Sequence, residues 1–66
     1  MRTKWEYLIM VMDYDIVIEI NGESISTQKI NAYKKIAELG QDCWELVGLS
    51  HYSGMRNVTL VFKRSI

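Results

Sequence analysis

The sequence predicts an α+β domain: a small antiparallel sheet of about four to five short strands, with one helix packed on one face, in the order β-β(-β)-α-β-β. Three observations lead there. Two segments near the chain ends, Trp5 to Met12 and Asn57 to Arg64, are rich in β-branched, aromatic and long apolar residues. The dipeptide Asn21-Gly22 sits between alternating runs and is a strong two-residue hairpin signal, because both central positions of a type I′ turn need φ > 0. A single stretch, residues 27 to 39, carries helical spacing of apolar residues.

The elements follow in order. Lys4 to Met12 reads as a strand with Trp5, Tyr7, Ile9 and Val11 on one face and Leu8, Met10 and Met12 on the other. A strand apolar on both faces belongs in the middle of a sheet. Asp13-Tyr14-Asp15 is a turn. Asp15 to Ile20 alternates, with Ile16, Ile18 and Ile20 together and Val17 and Glu19 opposed. The Asn21-Gly22 turn then sets Ile25 opposite Ile18, so residues 15 to 25 form a small hairpin. Ser26 is the expected N-cap of a helix from Thr27 to Leu39, with Gly40 in the left-handed C′ position. Its apolar stripe is Ile30, Tyr33, Ile36, Ala37 and Leu39, with Lys34, Lys35 and Glu38 mostly off it. Cys43 to Ser50 and Asn57 to Arg64 are two further strands, joined through a loop that contains Ser53-Gly54.

Four phrases stand in this order along the chain: Lys4-Trp5-Glu6-Tyr7, Leu39-Gly40, Trp44-Glu45-Leu46-Val47-Gly48 and Phe62-Lys63-Arg64. Together they resemble a family of small bacterial and phage domains known as domain of unknown function 4177. The resemblance spans nearly the whole chain. It implies a fold more than an activity, because the family has no agreed one. Typical members go from the first strand to the helix more directly, so the hairpin over residues 15 to 25 is expected to be an elaboration. The family pattern also favours glycine near Cys43, which makes the thiol a substitution rather than a requirement.

Size and composition narrow the function. Sixty-six residues make one domain, residues 1 to 66. A chain this short is marginally stable alone and usually needs a disulfide, a metal or a partner chain. One cysteine excludes an internal disulfide, and one cysteine plus one histidine fall short of a zinc ligand set. A second copy of the chain is therefore the expected staple. One helix can cover one sheet face only, and soluble monomers rarely leave a large apolar face bare. Eight basic and eight acidic residues cancel, so no footprint for duplex nucleic acid is expected. The longest apolar run, Tyr7 to Met12, is far below the ~20 residues a membrane-spanning helix needs. No signal peptide, a free thiol and the family resemblance together point to the cytoplasm of a bacterial or phage-infected cell.

No catalytic set stands out. Cys43 and His51 would form a base–nucleophile pair only if the fold brought them together. A small buried hydrophobe is the expected role for Cys43. Asp13 and Asp15 supply too few oxygens for a hard cation, and no cofactor or metal is expected. Trp5 and Trp44 could stack a flat ligand, but tryptophans at strand starts are more often core or interface anchors.

The best site chemistry lies in the loop from His51 to Asn57. Arg56 suits bidentate contact with phosphate or carboxylate, Tyr52 suits stacking on a base, and His51 adds an imidazole. Tyr14 and Lys34 are weaker companions. These five residues suit a small anionic or nucleotide-like ligand held between subunits, and by analogy of scale a sponge-like protein that sequesters such a signal. The alternative is a protein–protein adaptor or inhibitor that uses an apolar sheet face or edge on a host partner.

Overall fold

The computed structural model describes residues 4–51 and 57–66. Strand β1 (Trp5–Asp13) pairs antiparallel with β6 (Asn57–Ser65) over its whole length, from Trp5 opposite Ser65 to Asp13 opposite Asn57. On the far side of β1 lies β2 (Ile16–Ile20), and on the far side of β6 lies β5 (Glu45–His51). Two short strands, β3 (Glu23–Ser24) and β4 (Ile30–Asn31), share the outer edge of β2. Among the described residues the sheet thus has six antiparallel strands in the order β3-β2-β1-β6-β5, with β4 alongside β2, and there is one α-helix, α1 (Ala32–Gln41). The expected α+β architecture is present, with more strands than expected and β4 inserted before the helix.

β1 and β6 are central, as strands apolar on both faces should be. The turn between β2 and β3 is the expected one. Asn21 and Gly22 both have positive φ, 51° and 86°, and the Ile25 amide donates to the Ile18 carbonyl at 2.9 Å. Asn21 does more than turn the chain. Its amide donates to the Ile9 carbonyl at 2.8 Å, and its Oδ1 accepts from the Ile9 amide at 2.9 Å. The turn is thereby tied to β1.

The alternation expected along β2 is broken by a bulge. Met12 pairs with Val17 but Val11 pairs with Glu19, so Ile18 is the extra residue. Val17 therefore turns inward and is fully buried, and Ile20 packs at the core margin, while Ile16 and Ile18 are only half-buried. Two residues of opposite parity face the core because the bulge shifts the period by one.

The helix begins later than expected. Ser26–Gln28 form a single 3-10 turn, Lys29 turns left-handed at φ 51°, and Ile30 and Asn31 pair with Val17 and Ile16. This pairing satisfies backbone groups on the edge of β2 and seats Ile30 against the core. Asn31, not Ser26, is the N-cap: its Oδ1 accepts from the Lys34 amide at 3.0 Å. The buried stripe is accordingly Ala32, Ile36 and Leu39, and Tyr33 and Ala37 face outward.

The helix also ends later. Gly40 lies within it. The Trp44 amide donates to the Leu39 carbonyl at 2.9 Å and the Cys43 amide to the Gly40 carbonyl at 3.2 Å. That bonding pattern is a Schellman motif with Cys43 at C′, in the left-handed conformation at φ 68°. Cys43 is exposed rather than buried, because a C′ side chain points away from the packed turn. Trp44, next in sequence, packs against the core beside Leu39.

The core lies between the helix and one sheet face. Met10, Met12, Val17, Ala32, Leu39, Leu60 and Phe62 are its buried members among the described residues.

The cap geometry yields two expectations for urea unfolding. Asn31→Ala should cost about 1 kcal/mol and Ser26→Ala close to nothing. Cys43→Gly should stabilise by up to about 1 kcal/mol, because glycine removes the left-handed penalty. A loss of stability in Cys43→Gly would overturn the assignment of Cys43 to C′.

Candidate functional site

Three regions carry side chains beyond those the core needs. The first is the end of the sheet where the four phrases meet. Glu6 and Arg64 are paired across β1 and β6. The Arg64 Nε donates to Glu6 Oε1, and its Nη1 donates to the Asp42 carbonyl at 2.9 Å. The same guanidinium lies over the Trp44 ring, 4.4 Å from its centroid. One side chain thus ties two strands to the carbonyl end of the helix and to the aromatic residue that follows it. The helix dipole favours a cation at that end. On the opposite sheet face, Lys63 stands over the Trp5 ring at 4.3 Å. Glu6 and Arg64 are about one-third exposed and satisfy one another, which suits a structural clamp.

The second region is the opposite end of the sheet. Tyr14 lies in the turn between β1 and β2, with φ 56°. His51 ends β5, paired with Val58. Lys34 lies in the first turn of α1, and the helix start is fixed at this end because the Ala32 amide donates to the Asp15 carbonyl at 2.6 Å. All three are exposed. Two strand spacings, about 10 Å, separate the ends of β1 and β5. Tyr52 and Arg56 lie outside the described residues. Lys29 and Ser26 reach the neighbourhood of Tyr14, a grouping with no sequence signal, because it depends on the left-handed turn at Lys29.

Cys43 and His51 flank the two ends of β5. An extended strand of that length spans roughly 20 Å. The thiol and imidazole therefore lie far outside hydrogen-bond reach and cannot act as a nucleophile–base pair.

The third region is the sheet face opposite the helix. Trp5, Tyr7 and Ile9 on β1 are 43%, 58% and 46% exposed there. Val61, paired with Ile9 and with Gly48, extends the patch toward β5. At the β5 edge, Leu46, Val47 and Leu49 are also largely exposed.

The clamp predicts that Arg64→Lys is not conservative, since an ammonium cannot make the forked contacts and the stacking together. It should cost about 1 kcal/mol in urea unfolding, above the ~0.5 kcal/mol of an ordinary surface change. A neutral result would mean that the contacts around Arg64 add no stability.

Among the described residues no helix is long and apolar enough to cross a membrane. No family model matches the chain, and neither a curated protein nor a solved structure matches it.

Proposed function

We propose that this chain is a non-enzymatic binding module that assembles with a second copy of itself through the sheet face opposite the helix. The observation that carries this reading is the row Trp5, Tyr7 and Ile9, standing exposed on a central strand. A two-fold axis over the face would set Tyr7 and Ile9 against their own counterparts, the self-complementary arrangement that closed dimers use.

The resemblance to domain of unknown function 4177 belongs to the same proposal. It is supported by the convergence of Glu6, Trp44 and Arg64, one from each of three phrases, on a single clamp.

A second reading is sequestration of a small phosphorylated or nucleotide-type ligand at the end of the sheet that carries Tyr14, Lys34 and His51. Its support is that common location, where β5 ends at His51 and β6 begins at Asn57.

Sedimentation equilibrium at micromolar concentration separates the outcomes. The dimer reading expects twice 7.7 kDa. Ile9→Lys should give a folded monomer with an unchanged helix signal in circular dichroism. A parent chain that sediments as a monomer would sink self-association and favour a different protein as the occupant of this face. Thermal-shift screening with cyclic dinucleotides tests the second reading. A ligand at a hundred times its Kd should add about 2.7 kcal/mol of stability, lost in Arg56→Ala if that reading holds.

A further inference from the structure

A cleft of about 370 Å³ opens beside β2, between the turn after β1 and the 3-10 turn after β3. Its size falls within the range of small-molecule pockets. Ile16 and Ile18 give it an apolar floor, and they are available because the bulge at Ile18 keeps them out of the core. The Tyr14 ring forms one wall and is two-thirds exposed. Asp13 and Asp15 flank Tyr14, and Ser26 and Lys29 stand on the 3-10 side.

Backbone conformation adds a second observation. Tyr14 and Lys29 both adopt positive φ, 56° and 51°, and both line the cleft. Each such residue is strained relative to glycine in the same place. Asparagine or glycine could form these turns at lower cost, so the side chains held there carry the reason for the strain.

We infer that this cleft binds a small zwitterion of the amino-acid type with a large apolar side chain. The apolar body lies on Ile16 and Ile18 against the Tyr14 ring. The ammonium faces the Asp15 carboxylate. The carboxylate faces the Lys29 ammonium, and the Ser26 hydroxyl donates to it. A doubly charged phosphate is disfavoured, because among the described lining residues Lys29 is its one cation and the Asp15 carboxylate repels it. A simple amine leaves Lys29 unused, and a simple carboxylate leaves Asp15 unused. The inference is independent of self-association, since every lining residue comes from one chain.

The test is an NMR titration of the full chain with three probes: L-phenylalanine, phenethylamine and 3-phenylpropionate. Phenylalanine should shift the amide signals of Tyr14, Ile16, Ile18 and Lys29 saturably at millimolar concentration. Each truncated analogue should bind about tenfold more weakly, the loss of one charged contact. Lys29→Asn keeps a residue that tolerates the left-handed conformation and removes the charge; it should bring phenylalanine down to the affinity of phenethylamine. Asp15→Asn leaves the Asp15 carbonyl contact to Ala32 in place, and should bring phenylalanine down to the affinity of 3-phenylpropionate. Absence of saturable shifts at these amides, or equal binding of all three probes, overturns the inference. The analogue series on the parent chain decides the matter even if a variant does not fold.

Discussion

The antiparallel pairing of β1 with β6 brings residues near the two ends of the chain into register along nine consecutive positions. Four of the seven core residues, Met10, Met12, Leu60 and Phe62, come from these two strands. The clamp of Glu6 and Arg64 exists because the pairing sets those residues opposite each other. β1 carries β2 on its other edge and β6 carries β5, so this pairing joins the two halves of the sheet. Closing the loop between β1 and β6, residues 14 to 56, costs entropy, although that cost grows slowly with length. A long ladder with an apolar face offsets it. The same pairing creates the molecule's unsolved surface: two central strands apolar on both sides, and a ten-residue helix that covers one.

How far the sequence discloses this depends on the range of the interaction. Asn21-Gly22 is read correctly because its turn is set by the φ preferences of two residues. The central place of β1 and β6 follows from their two apolar faces. The helix boundaries are misread for a specific reason. Ser26 is a sound cap in isolation, but the edge of β2 needs hydrogen-bond partners, and Ile30 and Asn31 supply them. The helix therefore starts at the next good cap, Asn31. At the other end Gly40 draws attention as the favoured C′ residue, yet the chain places Cys43 there and keeps Gly40 helical. The bulge at Ile18 has no local signature, so strict alternation keeps Ile16, Ile18 and Ile20 on one face, whereas the structure turns Val17 and Ile20 to the core.

The candidate sites divide along the same line. Tyr14, Lys34 and His51 could be named from residue chemistry, and their shared end of the sheet follows from strand order. The cleft could not be named in this way. It needs a bulge to spare two isoleucines from the core and a left-handed lysine to bring the second wall around. Both features arise from how β2 is paired on its two edges. A segment that departs from the direct strand-to-helix route thus supplies strain, an aromatic ring and charges of both signs in one place.

β6 follows β1, β2 and β5 along the chain, yet it lies between β1 and β5 in the sheet. Until β6 pairs, β1 has its hairpin with β2 and a bare second edge. Met10 and Met12 are then uncovered along with Tyr7 and Ile9. A two-sided apolar strand with a bare edge is prone to pairing with other chains. The concentration of partly folded chains therefore sets whether such a sheet first meets its own β6 or a neighbour's. The finished sheet keeps a trace of that closure: the amide of Ile66 donates to the carbonyl of Lys4 at 3.0 Å, so these two residues lie side by side at one corner.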